Sequence, residues 1–247
     1  VSTISAGIPK SQELYGNSRS NLYLRATRLV SDLHQRLASD IPALLREVIE
    51  GAAELVPGAQ HAGVMVTQRR RLSDTAAATH RYPVLIDEIQ NRCEQGPGLT
   101  AGALQEIIRV DDLLGDDRWP LYRQETLKHT PIRSILSLGL FKEGGTTATL
   151  SLYTEVANAF DDESVNVGLI FATHTGLVWN MMRRDQQFRS ALASRDVIGQ
   201  AKGRMTERFD IDDAQAFSML KLMSQDSNTP IAQVAQRIVA GQVWPSR

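Results

Sequence analysis

The sequence holds a single cysteine, Cys93. One thiol cannot close an internal disulfide, and no Cys/His cluster has the spacing of a zinc site, so a reducing compartment is expected. Long apolar runs are also absent: polar residues interrupt every apolar stretch well short of the roughly 20 residues that span a bilayer. The first 20 residues, Val1 to Ser20, are polar and rich in Ser and Gly. They lack the apolar core of a secretion signal and are expected to form a flexible leader to a soluble, cytoplasmic protein with no membrane contact. Nor is there an excess of positive charge: 27 Lys and Arg face 28 Asp and Glu, a net charge of -1. A nucleic acid must therefore be met by a local patch.

Catalytic signatures are missing too. There is no phosphate-cradling glycine loop, no nucleophile elbow and no His-Glu metal motif. Lys142-Glu143-Gly144-Gly145 reads as a hairpin turn. Asp111 and Asp112 have no His/Glu ligand set beside them and fit capping roles. His61, His80, His129 and His174 are scattered. No catalytic residue, metal or cofactor is expected, and the chain is not read as an enzyme.

The 247 residues suffice for one large domain or two modest ones. Leu22, Leu29, Leu33 and Leu37 recur at helical spacing within Asn21 to Leu37, with Leu24 and Val30 beside them. A second helix is expected from Pro42, with Leu44, Leu45, Val48, Ile49, Ala52 and Leu55 inward and Pro57-Gly58 ending it. His61 to Thr67 alternates and predicts a strand with Val64 and Val66 on one side; Arg69-Arg70-Arg71 falls in the following turn and Leu72 to His80 returns. Tyr82 to Asn91 predicts a helix. Leu99 to Asp117 reads mostly as loop with a short helix, and Leu121 to His129 as a helix. Ile132 to Phe141 and Thr147 to Tyr153 pair as strands around Gly144-Gly145. These elements indicate an α+β domain over 21–180, an antiparallel sheet with flanking helices.

From Asp161 the period becomes helical. Val165, Leu169, Ala172, Gly176, Trp179 and Met182 form a stripe, with Ile170, Leu177 and Met181 beside it, running on through Phe188, Leu192 and Ile198. Between Asp161 and Met205 there is no proline. The spacing predicts a long connecting helix and, through its apolar stripe, a homodimer; two helices with a bend near Asp185 are the other reading. Residues 181–247 then predict three short helices. Asp212 is placed to cap the second, with Gln215 completing a capping box, and Ala216, Phe217 and Leu220 inward. Thr229-Pro230 opens the third, Ile231, Val234, Ala235 and Ile238 line it, and Gly241 ends it.

The run Ser194-Arg195-Asp196-Val197-Ile198-Gly199-Gln200-Ala201-Lys202-Gly203-Arg204-Met205-Thr206 resembles the start of the ANTAR domain, the RNA-binding module of bacterial antiterminators. The resemblance continues through Asp213-Ala214-Gln215-Ala216-Phe217, Leu220, Ser224 and Asn228 to Val234-Ala235-Gln236-Arg237-Ile238-Val239. Arg204-Met205-Thr206 departs from the more aliphatic pattern of members. The resemblance implies binding to tandem stem-loops in nascent messenger RNA, which forestalls an overlapping terminator, usually by a dimer. Independently, a basic ridge of Arg195, Lys202, Arg204 and Arg208 can follow a phosphate backbone, Gly203 permits close approach, and Gln200, Ser224 and Asn228 can reach loop bases. From Asp185 onward eight Lys/Arg stand against seven Asp/Glu, so net charge contributes little to this assignment.

Residues 40–180 resemble a GAF domain of the sort actinobacteria join to ANTAR modules. The resemblance is carried by Glu94-Gln95-Gly96-Pro97-Gly98-Leu99, Val110-Asp111-Asp112-Leu113, Asp117-Arg118-Trp119-Pro120, Ile132-Arg133-Ser134 and Leu150-Ser151-Leu152-Tyr153. It implies a sensory or dimerising domain whose pocket, holding a small molecule of unassigned identity, takes in Trp119, Arg133 and Ser134. Members often carry cysteine where Gly98 stands, and Cys93 lies five residues earlier. Ala159 replaces the lysine of the cyclic-nucleotide signature. Three further readings remain open: a helical DNA-binding regulator, although the third helix carries only Arg237 as a base-reading cation; an enzyme using the large domain's pocket; and a large domain that only dimerises.

Overall fold

The computed structural model describes residues 22–29, 41–68 and 73–242. The expected leader, the second half of the first helix and the Arg69-Arg70-Arg71 turn lie outside these residues. The chain divides into two compact units, Val1–Met181 and Met182–Arg247.

The first unit opens with helices α1 (22–29) and α2 (Ile41–Leu55). In α1 it is Ala26 that is fully buried, while Leu24 is exposed. In α2 the predicted stripe Leu44, Leu45, Val48, Ile49, Ala52 and Leu55 is buried throughout. Strands β1 (His61–Thr67) and β2 (Asp74–Ala78) follow, then α3 (Arg81–Cys93), α4 (Pro97–Leu104), β3 (Ile107–Val110), α5 (Pro120–His129), β4 (Ser134–Glu143) and β5 (Thr146–Thr154). The five strands form one antiparallel sheet in the order β2-β1-β5-β4-β3.

The stretch Leu99 to Asp117 is more ordered than its sequence suggests. It contains α4, the edge strand β3 paired to β4, and a 3₁₀ turn at Leu113–Gly115 capped by the Asp112 carboxylate. Strand β1 departs from simple alternation: Ala62 to Val66 are buried on both faces, because helices cover the sheet on both sides. One face presents Leu136, Leu138 and Leu152 to Gly168 of the long helix α6 (Asp162–Phe209). The opposite face is built of small and polar residues. Gly63 and Met65 of β1 pair with Ser151 and Thr149 of β5, which pair in turn with Ser137 and Gly139 of β4.

That second face lets α3 and α4 settle close to the sheet. A Cβ on Gly139 would lie 2.6 Å from the Ala101 carbonyl oxygen of α4, and one on Gly63 2.7 Å from Pro83 Cβ of α3. Polar groups trapped in this layer pair with one another. Ser137 and Ser151 share a hydroxyl hydrogen bond of 2.8 Å, and Thr149 Oγ1 donates to the Gly98 carbonyl at 2.9 Å. Beyond it Ile86, Ile89, Val110, Leu113, Tyr122, Ile132, Ile135 and Tyr153 form an apolar core under α3 and α5.

Helix α6 is continuous in secondary structure from Asp162 to Phe209, with no break near Asp185. Its inward stripe differs from the expected one. Val167, Phe171, Ala172 and Val178 are buried, whereas Leu169, Leu177 and Met181 are exposed. The register is set by Gly168, whose missing side chain admits the leucines of the sheet.

The second unit adds α7 (Asp213–Asp226) and α8 (Ile231–Val239) to the end of α6. Ala201, Met205, Ala216, Leu220, Val234, Ala235 and Ile238 form its core. The capping box closes as read from the sequence: the Gln215 amide donates to Asp212 Oδ1 at 2.7 Å and the Asp212 amide to Gln215 Oε1 at 3.0 Å. Helix α8 starts one residue later than expected. Pro230 is its N-cap, and the Thr229 hydroxyl donates to the Ser227 carbonyl instead of capping. At its end Gly241 takes φ +73°, the Gly241 amide reaches the Ile238 carbonyl, and the Gln242 amide reaches that of Arg237. These are the paired bonds of a Schellman stop, which needs the left-handed residue at that position.

Candidate nucleic-acid interface

The buried positions of α6 decide where its basic residues point. Ala201 and Met205 are fully buried, so the core side of the helix is fixed. Successive residues turn by 100°, which puts Lys202 and Arg204 on opposite flanks of that side. Lys202 faces α7: its Nζ donates to Asp213 Oδ2 at 2.5 Å. Its side chain is 23% exposed and that of Asp213 74%, so the stem is covered while the pair itself meets water. Arg195, two turns earlier on the same flank, is exposed.

Arg204 faces the other way. Its Nη1 donates to the Ile238 carbonyl at 3.3 Å and also to the Val239 carbonyl. These carbonyls end α8, where the helix leaves acceptors without intrahelical partners and the dipole favours a cation. Arg204 thus ties α6 to the end of α8. Arg208 lies one turn further along that flank, and Gln200 one turn before Arg204; both are exposed. The ridge of four cations expected from the sequence is in this way divided, with Arg195 and Lys202 beside α7 and Arg204 and Arg208 on the α8 flank.

Gly203 is open to solvent, and a Cβ added there would touch nothing within 4 Å. Ser224 and Asn228 shape the connection between α7 and α8. The Ser224 hydroxyl donates to the Thr229 carbonyl at 2.6 Å, and Asn228 holds φ +47° with its side chain exposed. One residue of this surface escaped the sequence reading. Phe217, expected in the core with Ala216 and Leu220, is 44% exposed while those two are fully buried. Its rotation about α7, about 100° from Ala216, carries it out of the core. That angle was the only available signal, and an apolar residue beside a buried pair masks it.

In the first unit, the three residues expected to line a pocket hold separate structural bonds. Trp119 Nε1 donates to Thr100 Oγ1 at 3.2 Å, and the Arg118 guanidinium lies 4.6 Å above its ring. Arg133 grips Asp112 with two hydrogen bonds, of 2.8 and 2.6 Å, which hold that carboxyl below its usual range. Ser134 is fully buried; its hydroxyl donates to the Asp111 carbonyl and accepts the Ala159 amide at 3.4 Å. Near them an open cleft of about 640 Å³ is lined by Arg109, Asp111, Asp112, Gly115, Asp116, Asp117, Arg118 and Asn158. None of the three expected residues lines it.

Deeper, Gln90 bridges helices and sheet. Its Oε1 accepts the Gly98 amide at 2.8 Å and its Nε2 donates to Asp87 Oδ1 at 3.3 Å. Asp87 also accepts Thr75 Oγ1 at 2.7 Å, and burial pushes its carboxyl up to about 7. Among the described residues no three His, Cys, Asp or Glu side chains are grouped to hold a metal ion, and no helix is long and apolar enough to cross a membrane.

No curated protein matches the chain. Among solved structures it is similar to the GAF domain of a phosphoenolpyruvate-protein phosphotransferase from Coxiella burnetii, with 14% identity over 67% of this chain and 98% of that one and a TM-score of 0.50. The GAF domain of the Acinetobacter phosphoenolpyruvate-protein phosphotransferase gives 11%, 68%, 96% and 0.51 in the same order. The photosensory core module of a Stigmatella aurantiaca phytochrome gives 12%, 89%, 47% and 0.53. At these identities the likeness is one of fold. Residues 38–180 match the GAF domain family and residues 186–239 the ANTAR domain. The first match takes in more than half of the chain, which therefore belongs to the GAF domain family and carries an ANTAR domain after it, an architecture consistent with the ANTAR-family regulators.

Proposed function

We propose that the chain is an RNA-binding antitermination regulator acting in the cytoplasm. Its ANTAR domain takes tandem stem-loops of nascent messenger RNA, and its GAF domain serves signal input or dimerisation. The observation that carries this reading is the ANTAR match over 186–239, on a three-helix core whose α7-facing flank presents Arg195 and Lys202 at the surface. An exposed ion pair such as Lys202–Asp213 contributes little net energy, so a phosphate can replace the carboxylate at Lys202. Gln200, Gly203 and Arg208 complete the proposed contact surface. Arg204 supports it by holding α8 in place, and Ser224 and Asn228 by setting the turn before α8. In the GAF domain a small-molecule signal would be read at the cleft lined by Arg109, Asp111, Asp112 and Arg118, which Trp119, Arg133 and Ser134 support from behind through their contacts with Arg118, Asp112 and Asp111.

The same proposal includes a homodimer. Leu169, Leu177, Met181, Phe188 and Leu192 of α6 are exposed at intervals that suit pairing with a second copy, and Phe188 is 65% exposed. The function is tested by filter-binding titration of the full-length protein against a tandem-hairpin RNA over a range of salt. Lys202→Ala should weaken binding and lower the salt slope by roughly 0.7 to 0.9. Unchanged affinity and slope would remove Lys202 from the interface.

A further inference from the structure

Helix α7 carries Asp213, Phe217 and Lys221 at intervals of four residues, which places them in one column on its surface. At one end of the column Asp213 holds the ammonium of Lys202. At the other end Lys221 is exposed. Between these two cations stands the ring of Phe217, 44% exposed on a helix whose adjacent core residues are at 0%. The surroundings of the ring are not those of an apolar docking patch. Ala214 and Ser218, its exposed neighbours, are small, and exposed Leu222 lies five residues on, about 140° around the helix.

The lone aromatic face has Lys221 one turn away on one side and the exposed Lys202–Asp213 ion pair on the other. A phosphate can replace the carboxylate of that pair, and the arrangement then matches one kind of occupant. A nucleotide in a single-stranded loop offers a flat base to stack and phosphates on both sides of it. A paired base has both faces covered and offers no such contact. We infer that Phe217 is the stacking platform for an unpaired base of the RNA hairpin loop, with Lys202 and Lys221 taking the flanking phosphates. The inference rests on the RNA-binding reading above and adds to it the residue that recognises a loop as a loop.

The test uses the full-length protein. Tandem-hairpin RNAs with randomised loops are enriched on the wild-type chain, and the enriched RNA is made with 2-aminopurine at each loop position in turn. One position should show a fluorescence change on binding. Phe217→Leu keeps an apolar side chain without a ring; it should weaken binding about tenfold or more and abolish that change. Phe217→Trp should retain both. The salt slope should stay the same in both variants, because no phosphate contact is lost, and affinity for a fully paired RNA should not move. Unaltered melting and light-scattering mass confirm that the variants are folded and assembled as the wild type. A Leu variant that binds the enriched RNA as tightly as the wild type overturns the stacking role while leaving RNA binding intact. Loss of assembly in that variant assigns the ring to contact between copies and overturns the role as well. A wild-type chain that enriches no hairpin RNA overturns the RNA reading, and the stacking role with it.

Discussion

Asp87 offers the most quantitative check on the first unit. It lies on α3, buried between the helix and the sheet, and among the described residues meets only neutral donors, Thr75 Oγ1 at 2.7 Å and Gln90 Nε2 at 3.3 Å. With no cation beside it among the described residues, burial dominates and raises its carboxyl from 3.8 to about 7. In the unfolded chain the group ionises near its ordinary value. Between that value and about 7 the folded state keeps a proton that the unfolded state has released. Stability must then fall as pH rises through this window, the reverse of the usual behaviour of a carboxylate held by a cation. Each pH unit of difference corresponds to about 1.4 kcal/mol, so the upper limit is roughly 4 kcal/mol lost between mildly acidic and alkaline solution. Asp87→Asn removes the ionisation and retains the shape. Its amide meets the same two donors and sacrifices part of one hydrogen bond, at about 1 kcal/mol. The variant should therefore be slightly less stable than the wild type near pH 4, at the lower edge of this window, and more stable by a few kcal/mol near pH 8. Urea unfolding of both proteins at a series of pH values measures this. Parallel curves that never cross would refute the argument, because they would mean that Asp87 ionises alike in the folded and unfolded chains.

Two further substitutions probe how each unit is held together. Gly139→Ala would bring a methyl group to within 2.6 Å of the Ala101 backbone oxygen and force α4 away from the sheet; a loss of about 1 to 3 kcal/mol is expected in thermal or urea unfolding, and a neutral result would show that α4 has room to move. Arg204→Ala removes the donors to the last carbonyls of α8, Ile238 and Val239. It should lower the stability of the second unit by about 1 to 3 kcal/mol, with faster amide exchange at the end of α8, whereas an unchanged exchange pattern would contradict its role as a tie between helices.

Legibility followed how much of each element's fate was decided locally. The capping box at Asp212 and Gln215, the Schellman stop at Gly241 and the inward stripe of α2 depend on residues within one or two turns, and all were visible in the sequence. Strand β3 was not. Its four residues, Ile107 to Val110, owe their conformation to pairing with β4, a partner more than 20 positions away. The register of α6 was hidden for a similar reason. Its apolar residues extend around much of the helix, and only the sheet's need for a glycine at position 168 chooses the buried side. At the candidate interface the residue types were legible but their division was not. Lys202 and Arg204 sit two apart, and it is the burial of Ala201 and Met205 that sends one toward Asp213 and the other toward α8. Phe217 was misassigned because an aromatic next to Ala216 and Leu220 fits a core pattern equally well; its exposure follows from the width of a three-helix core that those smaller residues already fill.

The central claim, that the second unit binds RNA loops, is tested most directly by competition. Full-length protein is bound to a tandem-hairpin RNA enriched from the randomised-loop pool and challenged with unlabelled duplex DNA of equal length and charge, at near-physiological salt. The account predicts that the DNA competes at least tenfold more weakly than the same RNA unlabelled, since its paired bases offer nothing to a surface built on Lys202, Arg195 and the exposed ring of Phe217. Duplex DNA competing as well as or better than the RNA would contradict it, and would place the three-helix unit among DNA-binding modules.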